Sequence, residues 1–190
     1  MNDDIDMDDD DLDDGGDPIY ALAERLIDLA TEAEVMVATA ESCTGGMIAA
    51  AITDVAGSSS ALDRGFVTYS NGAKAEMLGV PEADIEKHGA VSEEVAAAMA
   101  EGALARSDAD IAVSVTGVAG PGGGSDIKPV GLVWFACASA WAPTLALSVR
   151  FDDNGRAYIR HYAALTALEI LLDTLENRPP SNREPVSGTA

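Results

Sequence analysis

This 190-residue sequence predicts an α/β fold, a three-layer α/β/α sandwich around a mixed, mostly parallel five-stranded sheet, and three features carry that expectation. Helical and β-branched apolar stretches alternate along most of the chain. The β-like runs number five, and three of them end in polar, glycine-marked turns. Ligands of such sheets bind beyond the carboxyl ends of strands, so the turns after Ala40, Ser70 and Thr116 are expected to meet at one site.

Pro18 opens the first helix, in which Ile19, Leu22, Leu26 and Leu29 recur at helical spacing through about Glu34. Residues 35–40 (VMVATA) read as a strand that empties through Glu41-Ser42-Cys43-Thr44-Gly45-Gly46 into a helix over 47–55. A second strand is predicted at 66–70 (FVTYS), followed by Asn71-Gly72 and a short helix carrying Lys74, Met77 and Leu78. Ser92 is a good N-cap for a helix running through Ala97, Met99, Ala103 and Leu104. Residues 111–116 (IAVSVT) read as a buried strand and 117–129 as a glycine- and proline-rich loop. Strands over 131–139 and 143–151, joined by a short turn, are expected to be antiparallel neighbours. The last helix, over 156–176, is apolar at Ile159, Tyr162, Ala163, Leu168, Leu171, Leu172 and Leu175, and Pro179-Pro180 ends it.

The length fits one domain, here 18–177, with disordered tails expected at 1–17 and 178–190. Ten aspartates and no basic residue occupy the first 17 positions; without them the formal charge is still −12 of the full −22. So acidic a surface repels nucleic acid, and the lysine-poor composition suits a salty cytoplasm. The sequence has no long apolar run and begins acidic rather than with a signal-peptide pattern, so no membrane association and a cytoplasmic location are expected. Cys43 and Cys137 have no CxxC spacing, and the aspartates no EF-hand spacing, which argues against a disulfide framework or metal site. An exposed Trp141 would be accommodated by a homodimer.

Ser42 lies on a strand-to-helix turn where the amides of Thr44, Gly45 and Gly46 are expected to be free, because the first turn of a helix has no internal acceptors. Such donors suit an oxyanion or a phosphate, although the same residues would also serve as an ordinary helix cap. A serine hydroxyl needs a base. His88 and His161 read as structural or exposed, whereas lysine can replace histidine in this role. With an ordinary pKa of about 10.4, only about one lysine in 2,500 is neutral at pH 7, so a catalytic lysine must be desolvated. Lys74 follows an apolar strand, and Tyr69 precedes it by five residues; a surface lysine and a rim tyrosine remain the plain alternative. The loop Thr116-Gly117-Val118-Ala119-Gly120-Pro121-Gly122-Gly123 permits close backbone approach to a ligand, but no Gly-Lys-Ser/Thr ends it, so it is not a P-loop.

Taken together, Ala40-Glu41-Ser42-Cys43-Thr44-Gly45-Gly46, Gly65-Phe66-Val67-Thr68-Tyr69-Ser70-Asn71 with Lys74, His88-Gly89-Ala90-Val91-Ser92 and the Thr116 loop resemble, in order and spacing, the CinA C-terminal domain family, also known as PncC. The resemblance covers residues 18–177. It implies a nicotinamide-nucleotide amidohydrolase that converts nicotinamide mononucleotide and water to nicotinic acid mononucleotide and ammonia, with no metal or organic cofactor. By matching positions it implies Ser42 as nucleophile, Lys74 as general base and Tyr69 as its partner. Thr44, Gly45, Gly46, Thr116, Gly117 and Arg156 are then expected around the substrate. Asn154-Gly155-Arg156 departs from the usual Gly-Asp-Arg or Gly-Asn-Arg, and nothing here matches the N-terminal domain of longer CinA proteins. Two other readings stay open at this point: a ligand-binding or regulatory module with little turnover, and a hydrolase of a different amide, since amide choice depends on pocket shape.

Overall fold

The computed structural model describes residues 18–179; the tail expected at 1–17, and all of the one expected at 178–190 but its first two residues, lie outside them. Helix α1 (Pro18–Glu32) buries Ala23, Leu26, Ile27 and Ala30, the i, i+3, i+4, i+7 stripe of an amphipathic helix. Strand β1 (Val37–Glu41) is buried along its whole length. It leads to α2 (Met47–Thr53), a 3-10 turn at Ser58–Ser60, β2 (Leu62–Val67), α3 (Asn71–Leu78), α4 (Glu82–His88) and α5 (Glu93–Ala105). Then come β3 (Ile111–Gly117), β4 (Leu132–Ser139), β5 (Ala142–Arg150) and α6 (Arg156–Glu176).

The sheet order is β2-β1-β3-β4-β5, with β1 parallel to both β2 and β3 and with antiparallel β3/β4 and β4/β5 pairs. Four strands therefore run in one direction and β4 is reversed. Side chains alternate between faces along a strand. Val37 joins the core formed with α1, α2 and α6, whereas Ala38 and Ala40 pack with Leu78, Ile85, Val95 and Met99 of α3, α4 and α5 on the other face. Helices cover both faces, as the sequence leads one to expect.

Three expectations need correction. The second strand is 62–67, not 66–70: its polar start, Asp63 and Arg64, belongs to an exposed edge, where Asp63 pairs with Arg64 and accepts the Asp108 amide at 3.1 Å. Helix α4 was not foreseen because only Ile85 of its seven residues is buried, too few for a periodic pattern. Trp141 is not an exposed apolar surface: it packs on the main core, and the Arg178 guanidinium lies 5.1 Å from its ring centroid. It therefore gives no argument for a homodimer.

Candidate active site

Parallel pairing brings three strand exits to one edge. In the register, Glu41 of β1 stands between Val67 of β2 and Val115 of β3, so Ser42, Thr68 and Thr116 emerge side by side. Hydrogen bonds hold this arrangement past the strand ends, from the Ser42 amide to Val115 O at 2.9 Å and from the Thr68 amide to Glu41 O at 2.8 Å. A cleft of about 210 Å³ opens there, with Ser42, Lys74, Tyr69, Thr116, Gly117 and Arg156 in its wall.

Lys74 comes to this edge on the first turn of α3. Ser70 caps that helix by accepting the Ala73 amide at 3.0 Å, and Gly79 closes it in the left-handed conformation. The lysine is 1% exposed, which excludes the surface reading. Its Nζ donates to Ser42 Oγ at 2.9 Å and to Thr68 O at 2.8 Å, and no carboxylate pairs with it among the described residues. Burial without a counter-ion disfavours the ammonium and lowers its pKa to about 8. Roughly a tenth of the molecules then carry a neutral amine at pH 7. Cys43, beside the serine, is the opposite case: burial pushes its thiol up to about 11, so it stays protonated and unreactive while Ser42 has a base in contact.

The turn itself departs from expectation. Glu41, wholly buried, accepts the amides of Gly46 at 2.9 Å, Ile48 at 3.1 Å and Ala49 at 2.9 Å. A carboxylate thus caps α2, where the helix dipole also favours negative charge, and neither Ser42 nor Thr44 serves as the cap. The Gly45 amide is taken by Ser42 O at 3.1 Å. Gly45 and Gly46 consequently have no free donors; between Ser42 and Ala50 the amides of Cys43, Thr44 and Met47 are those that no carbonyl or carboxylate takes among the described residues. Thr44 Oγ1 and Thr68 Oγ1 are buried there without a partner.

Tyr69 is 61% exposed at the rim. Its hydroxyl accepts from Arg156 Nη2 at 3.1 Å and makes no bond with Lys74; Arg156 Nη1 donates to Gly120 O at 3.1 Å. Arg156 so joins the β2 exit, the glycine loop and the start of α6 across the mouth of the cleft. Thr116 donates to Ala90 O at 2.8 Å, and Lys128 donates to His88 O, which anchors the other end of the glycine loop. His88 itself pairs with Glu94 at 2.9 Å, and His161 lies edge-on to Tyr162, so neither histidine is part of the site. Among the described residues no His, Cys, Asp and Glu side chains cluster as a metal site.

Sequence reasoning missed Glu41, Cys43, Asn71 and Arg160. Asn71, Cys43, Ala90 and Val91 line the cleft. Arg160 donates to Cys43 O at 3.1 Å and Thr44 O at 2.8 Å; its i, i+4 spacing from Arg156, in a chain with few cations, was the available signal.

The CinA C-terminal domain profile matches residues 19–175. The nicotinamide-nucleotide amidohydrolase PncC of Escherichia coli (strain K12) is 54% identical over 153 residues, covering 80% of this chain and 92% of that protein. A CinA-like protein of Akkermansia muciniphila is 47% identical over 159 residues, 84% of this chain but 38% of that longer protein. The crystal structure of competence/damage inducible protein CihA from Agrobacterium tumefaciens superposes with a TM-score of 0.82 at 52% identity, covering 84% of this chain and 96% of that one. No helix of the described residues is long and apolar enough to cross a membrane.

Proposed function

Because this chain belongs to the CinA C-terminal domain family and buries Lys74 against Ser42, we propose that it is a nicotinamide-nucleotide amidohydrolase of Ser-Lys type, releasing ammonia from nicotinamide mononucleotide. The 2.9 Å contact between Lys74 Nζ and Ser42 Oγ is the observation that carries the reading. In its neutral form the amine takes the hydroxyl proton as Oγ attacks the carboxamide carbon. The amides of Cys43 and Thr44, which no carbonyl takes among the described residues, are the donors we assign to the developing oxyanion. The tetrahedral adduct collapses to a nicotinoyl ester on Ser42, and the lysine returns the proton to the departing nitrogen, which leaves as ammonia. A water molecule deprotonated by the same amine then attacks the ester, freeing the carboxylate and restoring the serine hydroxyl.

The cation placement supports an anionic nucleotide. Arg156 stands in the wall of the cleft on the first turn of α6, whose N-cap Gly155 offers no side-chain acceptor to the helix amides. A guanidinium beside free helix N-terminal amides suits a phosphate. Tyr69, bonded to Arg156 rather than to Lys74, then belongs to the phosphate side of the cleft.

The test is to compare ammonia release from nicotinamide mononucleotide with release from the riboside lacking phosphate, using the unaltered protein and Arg156→Met. The unaltered protein is expected to favour the nucleotide strongly. R156M should raise KM for the nucleotide about tenfold or more, as for loss of a charged hydrogen bond, and narrow the gap to the riboside. Equal use of both substrates by the unaltered protein would remove the phosphate assignment.

A further inference from the structure

Arg160 stands one helical turn beyond Arg156 and donates through Nε to Cys43 O at 3.1 Å and through Nη2 to Thr44 O at 2.8 Å. In a chain of 33 acidic and 11 basic residues, this guanidinium has no carboxylate partner among the described residues and instead serves two backbone carbonyls. Those carbonyls belong to consecutive peptide planes of the nucleophile turn. A trans peptide is planar, so its C=O and N–H point in opposite directions. Drawing Cys43 O toward α6 therefore turns the Thr44 amide away from Arg160, where no carbonyl or carboxylate takes it. Drawing Thr44 O the same way turns the Gly45 amide toward Ser42 O, which accepts it at 3.1 Å and closes the turn. Gly45 permits this at φ +63, and a β-carbon there would lie 3.6 Å from Arg160 Nη2, so the turn rests against the guanidinium. Glu41 holds the next amide, Gly46, from the other side.

We infer that Arg160 is a positioning residue: it fixes the two peptide planes after Ser42 so that the Thr44 amide stays aimed as an oxyanion donor while the Ser42–Lys74 contact is left to the base. It touches neither the serine nor the lysine. The inference rests on the Ser42 hydrolase reading, though not on the identity of the amide. Its effect falls on stabilisation of a tetrahedral centre and not on proton transfer, which separates it from a residue that merely holds the fold.

The test uses the full chain with two readouts. One is the rate at which a fluorophosphonate labels Ser42, since its phosphonyl oxygen must use the same donors whatever the natural substrate. The other is hydrolysis of nicotinamide mononucleotide. Arg160→Met is expected to slow labelling and lower kcat together by about 10- to 100-fold, short of the ~10²- to 10³-fold cost of deleting an oxyanion donor outright. KM should change less than about threefold, and the pH midpoint of labelling should stay where it is in the unaltered protein. Arg160→Lys should recover only part of the loss, because an ammonium lacks the planar fork that spans two carbonyls; should R160M fail to fold, R160K carries the test alone. Labelling within about twofold of the unaltered protein in a folded variant overturns the inference. So does a pH midpoint that moves while the plateau rate holds, for Arg160 would then act through the charge on Lys74. Normal labelling of the unaltered protein without release of ammonia from the nucleotide would refute the substrate and leave the role of Arg160 to the labelling rates; an unlabelled Ser42 would refute both.

Discussion

Lys74 Nζ lies 2.9 Å from Ser42 Oγ at the place where β1 ends and α3 begins, and the lysine is almost wholly removed from solvent. Removal from water lowers its pKa to about 8, so a base working there is mostly protonated at neutral pH. Activity is therefore expected to rise with pH through about 8 and to level off above it. A pH profile of kcat/KM on the unaltered protein measures this; a profile already flat from pH 6 would mean that the amine is not the base.

The same shift makes stability depend on pH. Between about 8 and the ordinary 10.5, the unfolded chain holds a proton at this lysine that the folded chain has lost, so Lys74 makes folding more favourable as pH rises through that window. Below about 8 the folded state bears the cost of a buried cation. Lys74→Met removes that cost, so its stability relative to the unaltered protein should be greatest near pH 7 and decline by roughly 3 kcal/mol toward pH 10.5. Denaturant titrations of both proteins at several pH values give this difference, and comparing the pair cancels Cys137, whose thiol burial pushes up to about 11; below pH 10 the Cys43 thiol, also pushed up to about 11 by burial although the Lys74 charge beside it pulls the other way, adds little.

Gly102 bears on the site from a distance. It lies on α5 where a β-carbon would come within 2.1 Å of Leu78 O, the backbone near the end of the helix that carries Lys74. Alanine ordinarily stabilises a helix interior by about 1 kcal/mol over glycine. Here the clash with main chain should reverse that sign, with Gly102→Ala costing about 1–3 kcal/mol and lowering kcat as α3 is displaced. Thermal melting and kinetics of the variant check both effects; a stabilised, fully active G102A would show that α3 yields freely.

Much of the fold was legible because the signals were local. The stripe on α1, the buried β-branched run of β3 and the apolar face of α6 each follow from spacing alone, and the boundaries of α6 coincide with those read from the sequence. The elements missed or misplaced were those stabilised by context: α4, with one buried residue, and β2, whose charged start suits only a sheet edge. The site shows the same division. Ser42 and Lys74 were singled out by chemistry and motif, and the end of β1 and the first turn of α3 hold them 2.9 Å apart. The amides of Gly45 and Gly46 were expected to be free, because nothing local reveals that Glu41 folds back beneath α2 to take one of them and that Ser42 O takes the other. Arg160 acts across 116 positions of sequence, on Thr44, and only the packing of α6 discloses it.

The central claim is that Ser42 is the nucleophile and Lys74 its base, and the most direct measurement is ammonia release from nicotinamide mononucleotide by the unaltered protein, Ser42→Ala and Lys74→Met, each first shown to be folded. The account expects steady turnover by the unaltered protein and a loss of about 10³-fold or more in both variants, since a nucleophile and its base act as a unit. Turnover within about tenfold of the unaltered rate in either folded variant would contradict it.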